Sequence, residues 1–290
     1  MRSRIVTAVV APLALLVAFV AWAFASPVGA SPDDDYHMAS IWCGQGLREG
    51  LCEAGDAPDE RRVPARLLEA SSCFAFHPEQ SASCPLSDPD VLVNTNRGNF
   101  TGDYPPVFYG AMSVFASSDV DTSILAMRIA NAVFFVGVGV ALVLLLPRRF
   151  RTGAVLPFTF GAVPLGMFLI PSVNPSSWAI LSAIGLWPAV VGLVRAEETW
   201  RRVALGAFAL AFAIIGAGAR SDAAVYAAIA VVVALILTFQ RSRTWAIAAG
   251  IGAVIVVLAG VSFLTSGQSS AVSGGEEVTS GGLGSLLANL

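Results

Sequence analysis

The sequence predicts an all-α integral membrane protein of about seven transmembrane helices, with a disulfide-bearing extracytoplasmic loop after the first helix. Three observations carry this prediction. Of 290 residues, 56% are hydrophobic and only 13% charged, too few charges to cover a water-soluble surface. Long apolar runs recur over 5–25, 124–146, 155–170, 178–194, 203–219, 223–239 and 245–264. Fifteen of the 20 acidic residues fall between Asp33 and Asp121, beside only five arginines, so that stretch is a separate polar compartment. All 17 basic residues are arginine and the net charge is −3, which argues against a nucleic-acid-binding surface.

The first run, 5–25, has 21 residues. At about 1.5 Å per residue it is roughly 31 Å long, enough to cross a hydrocarbon core of about 30 Å. Arg2 and Arg4 before it and Val28-Gly29-Ala30 after it also fit a cleavable signal peptide. An h-region is about 7–15 residues, shorter than this run, so residues 1–25 read as a retained signal anchor. Either reading exports residues 26–121. The second run contains Arg128 one turn from its outer end, where a long side chain reaches the interface. With the five runs that follow it forms a six-helix membrane bundle over 122–264, in which Pro157, Pro164 and Pro188 interrupt two helices.

Arginine placement sets the orientation. Arg2 and Arg4, Arg148, Arg149 and Arg151, Arg195, Arg201 and Arg202, and Arg241 and Arg243 lie at alternate ends of successive runs. Those ends read as cytoplasmic, with the N-terminus inside, in a multi-pass protein of the plasma membrane. Trp22 and Trp178 fall at the outer interface and Trp200 and Trp245 at the inner one. Residues 265–290 read as a flexible extracytoplasmic tail rich in Gly and Ser. The odd helix count, with no terminal basic cluster, predicts an incomplete chain whose further helices are missing.

Cys43, Cys52, Cys73 and Cys84 all lie in the exported loop. Four cysteines allow three connectivities. The sequence-local pairs Cys43–Cys52 and Cys73–Cys84 are preferred because they close short loops, and the spacings lack the CxxC pair of a zinc site. Asn99-Phe100-Thr101 matches a glycosylation sequon, a tripeptide that also occurs by chance.

No Walker loop, GxGxxG turn, HExxH helix or GxSxG elbow is present, which leaves nucleotide-driven transport and the common hydrolase mechanisms without support. The densest chemistry follows the first helix, at Ser31-Pro32-Asp33-Asp34-Asp35-Tyr36-His37. Adjacent carboxylates repel one another, which favours a bound proton or a divalent cation, and one can take a proton from an incoming hydroxyl. The same residues also fit a solvated acidic helix cap. Asp103-Tyr104-Pro105-Pro106-Val107-Phe108-Tyr109-Gly110 reads as an extended segment entering an interfacial aromatic patch, and Ser172-Val173-Asn174-Pro175-Ser176-Ser177 as a capping turn. Arg220 and Asp222 are the only charges between residues 203 and 239. They can pair with each other, and an outward arginine between two helices can also receive a lipid phosphate.

The order Pro32-Asp33-Asp34-Asp35 with His37, then Tyr104-Pro105-Pro106-Val107-Phe108-Tyr109, then Arg128-Ile129-Ala130-Asn131, then Ser172-Val173-Asn174-Pro175, resembles a bacterial DUF-type family of predicted multi-pass membrane proteins allied to the GT-C glycosyltransferases. The resemblance implies packed membrane helices with an active site at the outer face. It also implies a polyprenyl-phosphate-linked sugar as donor and an acidic residue of the first outer loop as catalytic base, here Asp33, Asp34 or Asp35. The leading expectation is therefore a membrane glycosyltransferase moving a sugar from a polyprenyl-phosphate donor to a cell-envelope glycan acceptor, with membrane lipids around it. Asp34, Asp35 and His37 would hold a divalent metal, Mg or Mn, and Arg220 the donor phosphate. The rival readings are a transporter or lipid flippase, and a non-catalytic envelope scaffold. No acidic residue lies deep in any apolar run, which tilts against ion-coupled transport.

Overall fold

The computed structural model describes residues 2–83, 85–88, 90–162 and 164–265. The tail and Cys84 lie outside the described residues. The chain is mostly helical: α1 (Arg2–Ala25), α2 (Asp34–Trp42), α3 (Arg66–Ser72), α4 (Val107–Met112), α5 (Val120–Leu145), α6 (Arg148–Gly161), α7 (Leu165–Leu169), α8 (Ser176–Arg195), α9 (Thr199–Ala219), α10 (Ser221–Leu237) and α11 (Arg243–Thr265).

Among the described residues, four helices are long and apolar enough to cross a membrane: α5, α8, α9 and α11. The apolar part Val9–Ala25 of α1 and the whole of α10 are shorter apolar helices. The third apolar run is not one helix. It divides into α6 and α7 on either side of Pro164, whose ring fixes φ and removes an amide donor where the ladder would have continued. The expectation of seven spans is therefore met only in part.

Local chemistry sets the helix ends. Asp119 caps α5 by accepting from the Thr122 amide at 3.1 Å, and α5 stops at Leu146 before Pro147, where an extended residue is favoured. Helix α8 is central and packs on α5, α6, α7, α9, α10 and α11. It meets α9 closely because Gly185 lies under the Phe212 ring and Gly216 against Ser182. A Cβ at either glycine would come within 2.4 Å of Phe212 or 2.3 Å of the Ser182 Oγ.

The segment between α1 and α5 is a folded cap and not a bare loop. Three short strands, β1 (Glu53–Ala54), β2 (Arg61–Pro64) and β3 (Leu92–Thr95), pair antiparallel in the order β1-β2-β3, with Glu53 opposite Arg62 and Val63 opposite Val93. This sheet corrects the all-α expectation. Its strands are two to four residues long, too short for a period-two pattern to register. Met38, Ile41 and Trp42 of α2, Val63, Leu67 and Phe108 form one apolar core with Ile124 and Met127 of α5 and Trp178 of α8. The cap is thereby seated on one end of the bundle.

Cys43 and Cys52 form a disulfide with Cα atoms 5.2 Å apart, as the spacing predicts. Cys73 is also disulfide-bonded, and the expectation for its partner falls on Cys84. Closing so short a loop restricts the unfolded cap by about 2–3 kcal/mol. Replacing Cys43 and Cys52 by Ser should raise amide exchange across α2 and residues 43–52 by a corresponding factor of roughly 30–150 while α8 and α9 stay protected. Unchanged exchange in the cap would contradict this.

Candidate functional site

The acidic motif opens α2, and its three carboxylates diverge. Asp33 occupies the N-cap position in the left-handed region, φ 56°, without a side-chain capping bond. A non-glycine residue there is strained, and the fold holds it by what the side chain reaches. Its Oδ1 accepts from Arg97 at 3.0 Å, and Asp35 binds the same guanidinium through both oxygens. Asp33 is 65% exposed and Asp35 22%. The acids do open a helix, as the acidic-cap reading expects, with Asp34 and Asp35 in the first turn of α2, and Asp33 and Asp35 also bind an arginine 60-odd residues away.

Asp34 turns the other way. It is fully buried, accepts from the Ser31 amide at 3.0 Å, and lies 3.8 Å from the Arg128 guanidinium, itself only 3% exposed. Burial pushes the Asp34 carboxyl up to about 7, against the downward pull of Arg128. Arg128 also donates to the carbonyls of Ala23, Ser26 and Pro27, at 3.3, 2.7 and 2.8 Å, and so ties off the end of α1. Expected to snorkel to the interface, Arg128 is instead a buried clamp between α1, α2 and α5, since carbonyls and a carboxylate are at hand there.

His37 lies one turn along α2, buried, with Nδ1 2.9 Å from the Tyr109 hydroxyl. Burial lowers its pKa to about 4, so the ring is a neutral imidazole at neutral pH. Tyr36, Tyr104 and Tyr109 surround it at ring distances of 5.5, 5.6 and 6.0 Å. Burial also holds the Tyr36 and Tyr109 hydroxyls protonated, by raising their pKa values. The Arg220 guanidinium sits 5.8 Å from the Tyr104 ring centre. It binds Asp222 through Nε and Nη2 at 2.9 Å each, and Ser176 through Nη1 at 3.2 Å.

The four sequence motifs meet at this end of the bundle. Asn174 donates to the Pro32 carbonyl at 2.9 Å across 142 residues. Asn131 donates to the Ser172 carbonyl at 2.7 Å and accepts from the Trp178 indole at 3.0 Å. Phe108 and Trp178 stack edge to face at 5.3 Å. Asn99 is enclosed between Ser40 and Tyr104, its amide donating to the Tyr104 carbonyl at 2.8 Å, which gives the sequon asparagine a structural occupation.

Asp33, Asp35, His37 and Arg220 are therefore brought together, and Asp34 is withdrawn. The trio expected to hold a metal does not converge: Asp34 faces Arg128, Asp35 faces Arg97 and His37 faces Tyr109. Among the described residues no group of three His, Cys, Asp or Glu side chains is placed to hold an ion. Sequence reasoning missed Arg97, one of five scattered arginines in the polar stretch, and Asp103, which accepts from the Tyr36 hydroxyl at 3.5 Å.

Asp34 and His37 make opposite contributions to stability with pH. The His37 pKa is depressed on folding, so its contribution is complete above about 6.5 and is lost as pH falls towards 4. The Asp34 pKa is raised on folding, so its contribution is complete below about 3.8 and is lost as pH rises towards 7. Relative to the wild type, His37→Gln should lose stability as pH rises from about 4 to about 6.5, and Asp34→Asn should gain it. Thermal unfolding in detergent across this range reads both. Parallel curves for all three proteins would contradict it.

The model of a family described as "Predicted membrane protein (DUF2142)" matches residues 16–290. No curated protein and no solved structure matches the chain.

Proposed function

We propose that this chain, which belongs to the DUF2142 family of predicted membrane proteins, is an integral membrane glycosyltransferase that moves a sugar from a polyprenyl-phosphate donor to a cell-envelope glycan. On this reading the cap faces outward and the N-terminus is cytoplasmic, in the plasma membrane. The single observation that supports it is the gathering of Asp33, Asp35, His37, Tyr104 and Arg220 at one end of the bundle.

The acceptor oxygen forms a bond to the anomeric carbon as the bond from that carbon to the carrier phosphate breaks, with inversion in a single displacement. The acceptor proton passes to a carboxylate, and the electron pair leaves on the phosphate. Asp33 is the base of choice: it is the most exposed of the three acids and meets Arg97 through one oxygen only, leaving the other to face a hydroxyl. Arg220 receives the charge developing on the leaving phosphate, with N–H groups beyond those spent on Asp222 and Ser176. Tyr36 and Tyr104 offer ring faces to a sugar.

The test is the release of polyprenyl phosphate from a panel of polyprenyl-phosphate sugars by the purified chain in proteoliposomes. Arg220→Gln should raise the donor KM by roughly tenfold with little change in unfolding temperature. An equal KM in the variant would remove Arg220 from the donor site.

The scaffold reading has one observation in its favour: Arg97 and Arg220 both find carboxylate partners within the chain. It predicts a folded protein that consumes no donor in that panel.

A further inference from the structure

We infer that the cavity at the opposite end of the bundle binds the phosphate headgroup of an anionic membrane lipid. This half-open cavity has a volume of about 500 Å³ and is built from three helices. The start of α6 contributes Arg148, Arg149 and Arg151, the end of α8 Arg195, and the start of α9 Arg201. Two acids, Glu197 and Glu198, are the only counter-charges in its lining, so the five arginines leave a surplus of three positive charges.

An orientation signal explains arginines at this end, but not their convergence on one concavity. Several of them are held in place by neutral acceptors. Arg151 donates to the carbonyls of Leu146 and Leu144 at 3.0 and 2.7 Å, and Arg195 to the Gln240 amide oxygen at 3.3 Å. Those bonds fix the guanidinium groups without cancelling their charge. Among the described residues, Arg201 is the one of the five that pairs with an acid, Glu198, and Arg148 and Arg149 are exposed. Helices α6 and α9 both begin at this cavity, so their positive dipole ends add to the arginine field. Basic residues in the first turn of a helix are unfavourable there unless an anion is close, and a phosphate bound by several guanidinium groups supplies it.

The position selects a lipid as the source of that phosphate. Helix α8 has 20 residues, so the cavity lies about 30 Å from the cap, one hydrocarbon thickness away. Leu144 and Trp200, next to the arginines in sequence, are exposed apolar side chains of the kind that meet acyl chains and the interface. The inference does not rest on the proposed transfer reaction, which concerns the other end.

The test uses the full chain purified in a neutral detergent, with native mass spectrometry and thermal unfolding as readouts. Added phosphatidylglycerol should be retained and should raise the unfolding temperature, and phosphatidylcholine should do neither. Arg148→Gln with Arg149→Gln should lower phosphatidylglycerol retention by roughly tenfold or more. Arg241→Gln with Arg243→Gln removes as much charge from the same end outside the cavity and should leave retention unchanged. Equal stabilisation of the wild-type protein by the two lipids would overturn the inference, as would equal loss in both double variants. Stabilisation reproduced by inorganic phosphate alone would also overturn it, by making the ligand a free anion.

Discussion

Asp33→Asn combined with Asp35→Asn should lower sugar transfer by roughly 10²-fold or more, the usual cost of losing a general base, while the protein still inserts and folds. Asparagine keeps the shape of each side chain and its capacity to accept from Arg97, but it cannot take a proton from an acceptor hydroxyl. The ion pairs that are lost share a half-exposed arginine, with Asp33 exposed and Asp35 partly buried, and pairs so open to solvent contribute little to stability. Arg97→Gln separates the two roles. It breaks the same ion pairs and leaves both carboxylates, so it should retain most of the activity that the double variant loses. If Arg97→Gln and the double variant fall together, the carboxylates act by holding the cap in place and the base must be sought elsewhere.

Arg128→Met should cost about 3–5 kcal/mol, because it leaves Asp34 buried without its counter-charge and strips the carbonyls of Ala23, Ser26 and Pro27 of a donor. The loss should shrink as pH falls towards about 7 and level off below it, where Asp34 is protonated with or without the cation. Adding Asp34→Asn to Arg128→Met should recover part of the stability and not all of it, because the three carbonyls stay without their donor. Unfolding of the three proteins in detergent measures this. A single variant as stable as the wild type would show that the pair holds nothing together.

The sequence displays this molecule unevenly, and the physics of each signal says why. Apolar runs and arginine ends are read over windows of about 20 residues, and four of the seven runs correspond to helices long enough to span. The run over 155–170 misled because hydropathy counts Pro164 as tolerable, whereas its ring and missing amide donor interrupt a helix there. The Cys43–Cys52 bond was legible from spacing alone. The cap sheet was not, since its strands are stabilised by pairing with partners up to 34 residues away and not by any local pattern. Arg128 looked like an interfacial side chain because its acceptors lie about 100 residues earlier in the chain. The order of the four motifs was visible, but their meeting, Asn174 on Pro32 and Asn131 on Ser172, is a property of the folded bundle. The same holds for Asp33, Asp34 and Asp35, whose identical side chains take opposite directions set by where Arg97 and Arg128 lie.

The central claim is that the capped end of the bundle performs transfer from a lipid phosphate. A single-turnover experiment on the purified wild-type chain in proteoliposomes tests it most directly, with polyprenyl-phosphate sugars and envelope glycan supplied on the cap side. The account predicts that polyprenyl phosphate is released in step with glycosylated product, that the sugar carbon inverts, and that the Asp33→Asn, Asp35→Asn protein releases roughly 10²-fold less. A folded wild-type protein that releases no polyprenyl phosphate from any donor, or a double variant that matches it turnover for turnover, would contradict the account.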